Sequence, residues 1–163
     1  MKHENSENIY FVRAAFKEAE KSNCPRTKVG CVLVKNHNIL VSAHNDEVQN
    51  LGKCSKEGCI RIIKGIATGA YGEVCRGIHA EQKLIINCLK NNIDPSDGIV
   101  YLTHAPCLTC AKILLEAGIS ELYYCIDYPT NPTIGSEQLF EELKVKYKKV
   151  RLEEDIQNVE RSI

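Results

Sequence analysis

Two short stretches, His79-Ala80-Glu81 and Pro106-Cys107-Leu108-Thr109-Cys110, constrain this chain more than anything else in it. Together they offer one imidazole, two thiols and one carboxylate. Cys107 and Cys110 are three apart, so in a first helical turn both sulfurs point the same way. Pro106 suits the start of that helix, where a missing N–H costs nothing. Two thiolates and a neutral imidazole make three protein ligands for a zinc ion and leave its fourth tetrahedral position open. Glu81, two residues from His79, is not spaced to bind the same metal through that turn. It is spaced to exchange protons with water at the open position. Two thiolates cancel the ion's charge, so positive helix N-termini and a nearby proton acceptor must supply the remaining acidity. A purely structural metal site has no use for such a carboxylate. Any fold for this chain therefore has to bring two helix N-termini, near 79 and 107, to one place.

The length of 163 residues suits one domain with a proper core. Lys plus Arg and Asp plus Glu both count 21, and a chain that grips long nucleic acid usually carries a basic surplus. Three Phe, seven Tyr and no Trp are thin material for base-stacking platforms, so no long nucleic acid is expected as partner. The polar start, MKHENSENIY, lacks the apolar core of a signal peptide, and no apolar run approaches membrane-spanning length. Nine cysteines in such a chain read as reduced and metal-binding, not as a disulfide framework, and the expected compartment is the cytoplasm.

Taken in order, Ile9, Val12, Phe16 and Ala19 give a helical stripe over residues 6–21. A connection at 22–28 follows, then a hairpin of strands Val29–Val34 and Ile39–Ala43 turning at Lys35-Asn36-His37-Asn38. Gly30 inside the first strand predicts a close backbone approach. Residues 44–78 hold six glycines and three cysteines with little periodicity beyond a short helix near Cys59–Lys64, and a loop this long is uncommon unless it is functional or tied down. A helix from about His79 is expected to bury Leu84, Ile85, Cys88 and Leu89. The strand Ile99–Thr103, a helix from Cys107 that stops at Gly118, and the strand Glu121–Ile126 come next. A loop over 127–136, a last helix at about Glu137–Tyr147 and a short strand at about Lys149–Leu152 precede a charged tail. The last three strands alternate with helices, so the fold class is α/β: a three-layer α/β/α arrangement on a mixed five-stranded sheet, part parallel and part hairpin. Open sheets of this kind place their sites at the carboxyl ends of the strands.

Cys31, Cys88 and Cys125 fall within strands or apolar helix faces and read as small buried hydrophobes. Cys24, Cys54, Cys59 and Cys75 sit in loops, where burial does not account for them. They are the ligand set expected for a second, closed, structural zinc that orders residues 44–78 over the site. The alternatives are that some are free thiols, or that His44 or His3 replaces one. Arg26 is the basic residue expected near a substrate phosphate; a solvated loop charge is the plain alternative.

Ser22-Asn23-Cys24-Pro25-Arg26-Thr27-Lys28-Val29-Gly30, the Cys54…Cys59 pair, Glu73-Val74-Cys75-Arg76-Gly77-Ile78-His79-Ala80-Glu81-Gln82 and Thr103-His104-Ala105-Pro106-Cys107 together closely resemble the deoxycytidylate deaminase family. The H-A-E and P-C-x-x-C pieces alone mark only the wider cytidine deaminase superfamily. The resemblance covers about residues 8–150. It implies a single zinc-dependent deaminase domain over 1–163, with the stapled insertion at about 44–78. It also implies a zinc-activated water, conversion of dCMP to dUMP, oligomers that are often hexamers, and regulation by dCTP and dTTP. A deaminase of another cytosine or adenine substrate and a non-enzymatic zinc module are the rival readings. Within the resemblance Asn45 matches a sugar-binding asparagine and Tyr128 a substrate-pocket tyrosine. The chain departs from the family where a G-Y-N-G stretch reads Ala43-His44-Asn45-Asp46. Asp46 adds negative charge where nucleotide phosphates approach, which weakens the expectation of triphosphate control.

Overall fold

The computed structural model describes residues 2–52, 54–67, 70, 72–127 and 134–152. Helix α1 (Lys2–Ala19) leads into strand β1 (Gly30–Lys35) and strand β2 (Asn38–His44), an antiparallel pair. Asn36 and His37 turn the hairpin with φ of 50° and 62°, the left-handed pair that a two-residue connection between twisted strands requires. After β3 (Asp46–Glu47), α2 (Ile60–Ile63) and β4 (Gly77–Ile78) come α3 (Ala80–Lys90), β5 (Ile99–His104) and α4 (Leu108–Glu116). Strand β6 (Glu121–Ile126), α5 (Ile134–Glu142) and β7 (Lys146–Lys149) complete the order.

The main sheet runs β2-β1-β5-β6-β7, with β5, β6 and β7 parallel and β1 antiparallel to both of its neighbours. This is the expected mixed five-stranded sheet. Its faces follow from the period of two along each strand. Val32, Val34, Tyr101 and Tyr123 point to one side and pack with Ile9, Phe11 and Val12 of α1. Cys31, Leu33, Val100, Leu102, Leu122 and Tyr124 point to the other, where Leu84, Cys88, Ala111, Leu114 and Phe140 of α3, α4 and α5 cover them. The three layers are therefore helix, sheet, helix.

Gly30 is where α1 lies closest to the sheet. A Cβ there would sit 2.2 Å from the Ala15 carbonyl oxygen and 2.6 Å from the Ala19 nitrogen, both backbone atoms that cannot swing aside. Gly30→Ala is expected to destabilise the chain by about 1–3 kcal/mol, the range for overpacking a tight contact. An unchanged urea midpoint would contradict that close approach.

The structure corrects the sequence reading in four places. Leu89 is not buried but 74% exposed, because it falls one residue past Cys88 and so off the sheet-facing stripe of α3. The last helix runs Ile134–Glu142 and stops well before Tyr147. Lys144 takes φ of 55°, and the following strand is Lys146–Lys149, not Lys149–Leu152. In it Tyr147 stacks between Tyr124 and Phe140 at ring distances of 4.8 and 4.6 Å. Finally, residues 44–78 are closed at their base by a two-stranded ladder that the sequence did not suggest, pairing Asp46 with Ile78 and Glu47 with Gly77.

Candidate active site

Strands β5 and β6 end on the same edge of the sheet, and the N-termini of α3 and α4 open there. His79 is the residue just before α3 and Cys107 the residue just before α4, both with extended backbone. The His79 N–H donates to the Gln82 side-chain oxygen at 3.0 Å, which fixes the entry to α3. The two thiols and the imidazole thus reach one point from separate chain segments. His79 Nδ1 lies 3.7 Å from Cys107 Sγ and 3.4 Å from Cys110 Sγ.

The spacing and the chemistry of these donors both fit a divalent metal. A tetrahedral zinc with normal bond lengths separates nitrogen and sulfur ligands by roughly 3.5 Å. All three ligand atoms lie within 4.8 Å of one another, and no other group of three or more His, Cys, Asp or Glu does so among the described residues. The electrostatics point the same way. Cys107 is lowered to about 4, first by a hydrogen bond from Cys110 and then, against the cost of burial, by one from His79. Cys110 is raised by the same Cys107 bond and by burial, and His79 is raised by its bond to Cys107. The three groups are thus coupled, with a proton on one favouring charge on its neighbour. A cation of charge two would let both sulfurs ionise and return the imidazole to its neutral, ligating form.

Glu81 sits in the first turn of α3 and is 4% exposed. Burial raises its carboxyl above the ordinary range, partly offset by the positive charge of His79, and it is close enough to interact with the Cys110 thiol. A carboxyl group held this way takes up a proton readily and gives it back. The structure places His79, Glu81, Cys107 and Cys110 together at one site.

A cavity of about 400 Å³ opens over them, and Cys24, Cys54, Cys59 and Cys75 line it too. All four of these cysteines are half-buried. Burial raises the Cys54 thiol, and Cys24, Cys75 and Cys59 are near enough to raise it further. Of the alternative ligands, His44 is engaged elsewhere, 2.8 Å from Glu18 and 3.6 Å from Asp46, and the His3 side chain lies outside the described residues. Asn45 reaches the cavity, but its side chain accepts from the Val29 N–H and donates to the Thr27 carbonyl, each at 2.8 Å. One N–H and one lone pair of that amide remain. Asp46 is compensated: burial raises its carboxyl, but the Lys83 ammonium at 2.9 Å, the Glu47 N–H and the charge of His44 together hold it below the usual range. Arg26 also lines the cavity and donates to the Ile66 carbonyl at 2.7 Å. Tyr128 lies outside the described residues.

Two cavity residues escaped the sequence reading as functional groups. His104, at the end of β5, is one. The buried Thr103 hydroxyl accepts from the Gly30 N–H at 3.1 Å and sits 2.9 Å from His104 Nδ1. With no other acceptor for it among the described residues, the hydroxyl hydrogen is assigned to Nδ1, so the proton of the ring rests on Nε2. Burial holds the imidazole below its ordinary pKa, in the neutral form. The only signal available was a histidine at a strand end three residues before Cys107. The other is Arg61, 8% exposed and close enough for its charge to weigh against protonation of His79.

The mixed sheet, with a His-Cys-Cys cluster and a buried carboxyl at its edge, defines the class: a metal-dependent α/β/α deaminase-like domain. Residues 5–126 match the model for the cytidine and deoxycytidylate deaminase zinc-binding region. The chain belongs to the cytidine and deoxycytidylate deaminase family. It is 35% identical to the ComE operon protein 2 of Bacillus subtilis over 158 residues, 94% of this chain and 78% of that protein. It is 29% identical to the deoxycytidylate deaminase of Schizosaccharomyces pombe over 119 residues, 73% of this chain but only 37% of that one. Among solved structures, the dCMP deaminase of cyanophage S-TIM5 in complex with dCMP and dUMP superposes with a TM-score of 0.68 at 26% identity, covering 86% of this chain and 93% of that one. The matched region contains His79, Cys107 and Cys110.

Proposed function

We infer that this chain catalyses the hydrolytic deamination of dCMP to dUMP with release of ammonia. The observation that carries the reading is the buried Glu81 carboxyl beside the His79, Cys107 and Cys110 cluster, in a chain whose relatives include deoxycytidylate deaminases. A zinc ion held by those three residues supplies a Lewis acid that makes water a nucleophile near neutral pH. The proton traffic belongs to Glu81. It takes one proton from the attacking water and passes it to N3 of the cytosine ring; it then takes the second proton from the new hydroxyl on C4 and gives it to the amino group, so that the carbonyl forms, the C4–N bond breaks and ammonia leaves. The neutral His104, with its proton on Nε2, presents a donor in the same cavity. Asn45 holds the 27–29 segment in place and keeps one N–H for the sugar.

Cys24, Cys54, Cys59 and Cys75 take a second, structural zinc that staples residues 44–78 over the cavity. Their common place on its wall and their mutual effect on Cys54 support this, although no three of their sulfurs lie within 4.8 Å of one another, so the ion would have to draw them together. Cys54→Ser should then lower the zinc content of metal-replete protein from two ions per chain to one and lower the thermal midpoint, since a closed site adds its binding energy to folding. One zinc per wild-type chain by elemental analysis removes the staple. Assembly into a homo-oligomer, with a hexamer as the form the resemblance suggests, and response to dCTP and dTTP belong to the same reading. No helix among the described residues is long and apolar enough to cross a membrane. The cytoplasm, where free nucleotides are held, is the compartment assigned.

A substrate panel tests the activity directly. Turnover of dCMP, deoxycytidine and a cytosine-containing oligonucleotide is followed by loss of the cytosine ultraviolet band and by ammonia, with and without dCTP. The expected result is a preference for dCMP; preference for the oligonucleotide would move the chain to the nucleic-acid deaminases.

A further inference from the structure

We propose that Arg61 is the seat of the substrate's 5′-phosphate and so sets the choice of nucleotide over nucleoside. This rests on the deaminase reading above and adds to it a residue that neither motif contains.

Arginine is almost never this buried without a partner charge. Arg61 is 8% exposed, and one guanidinium nitrogen, Nη2, donates to the Ala67 carbonyl at 3.1 Å and the Ala70 carbonyl at 2.9 Å. Its Nε–H is buried with no partner. No carboxylate pairs with it among the described residues. The positive charge thus stands unneutralised in the wall of the cavity that holds His79 and Glu81.

The nearby acids do not supply the missing charge. Asp46 is taken by Lys83 at 2.9 Å, and Glu47 accepts from the Cys54 N–H at 2.9 Å. Glu81 sits beside the Cys110 thiol and forms no ion pair with Arg61. What the cavity lacks is an anion at the Arg61 side, and the planar guanidinium fork matches phosphate oxygens in pairs. A cavity of about 400 Å³ lies within the usual span for a small-molecule site of roughly 300–1,000 Å³. A ligand entering it with its base at the Glu81 end would carry its negative end toward Arg61. Arg26 donates to the Ile66 carbonyl, next in sequence to the Ala67 carbonyl that Arg61 holds, so the two cavity arginines are anchored to neighbouring backbone.

The test is steady-state kinetics of zinc-loaded wild type, R61Q and R61K on dCMP and on deoxycytidine. For R61Q the ratio of kcat/KM for dCMP to that for deoxycytidine should fall about 10- to 100-fold, the usual reach of a charge-assisted contact. The fall should appear in the KM for dCMP, not in kcat, and R61K should recover part of it. If R61Q instead lowers both substrates alike, or acts on kcat alone, Arg61 is only a clasp for the segment and the proposal is overturned. Calorimetric titration of inorganic phosphate reads the seat without turnover and in either variant. Binding at least about 10-fold weaker than wild type supports it; equal binding overturns it. Wild type inert on every cytosine compound would reject the deaminase reading by itself, while the phosphate titration would still decide Arg61.

Discussion

Glu81→Gln is expected to retain wild-type zinc content and fold yet lower kcat for dCMP by at least ~10²-fold, the least that a positioned general acid–base usually contributes. Glutamine fills the same volume and still hydrogen-bonds, so packing of the first turn of α3 is kept while the proton carrier is lost. The expectation has a structural basis beyond the motif. Glu81 is 4% exposed, and the other buried carboxyl among the described residues, Glu18, is taken by Lys21 and His44. Its burial raises its affinity for a proton, which suits a group that must both accept and return one. Rapid-quench measurement of the chemical step separates this from a change in product release. Turnover by the Gln variant at the wild-type rate would take the proton transfer away from Glu81.

Cys110→Ala should be more severe. It removes a ligand that is 0% exposed and 3.4 Å from His79 Nδ1, and no further His, Cys, Asp or Glu joins that cluster among the described residues. Loss of the catalytic zinc, loss of detectable deamination and a lowered thermal midpoint are expected together, because metal affinity and folding draw on the same binding energy. Chelation of the wild type should reproduce the loss of activity, and added zinc should restore it in the wild type but not in the variant. Elemental analysis with activity on the same samples is the check. A Cys110→Ala protein that keeps full activity would mean that the metal sits elsewhere.

Much of this was legible in the residues. The ligand set could be read because its chemistry permits few alternatives: an imidazole, two thiols at helical spacing and a carboxylate admit an open metal site and little else. The sheet could be read because β1, β5 and β6 alternate buried residues toward two helical layers, and Gly30 marked a place where a side chain had no room. What was lost lay where local signals conflict or vanish. Residues 145–149 carry Val145 and Tyr147 among three lysines, a pattern that suits a helix end as well as a strand. Only the stack of Tyr147 on Phe140 and Tyr124 decides for the strand, and that contact is invisible in sequence. Leu89 was misplaced because a helical stripe leaves its edge residues uncertain by one position. The Asp46–Glu47 and Gly77–Ile78 ladder is two residues on each side, too short for any periodicity. Arg61 could not be found at all, since its meaning comes from burial and from the absence of a partner acid. Asp46, read as an unpaired negative charge, turns out to be balanced by Lys83, which sits one turn into α3.

The central claim is a zinc ion at the meeting point of α3 and α4 with Glu81 as its proton carrier. Anomalous diffraction at the zinc absorption edge, on crystals of the metal-replete protein, tests it most directly. The account predicts a strong peak within bonding distance of His79 Nδ1 and of the sulfurs of Cys107 and Cys110, with the Glu81 carboxylate facing the open side of that peak. Absence of a peak there, or a Glu81 side chain turned away from it, would contradict the account.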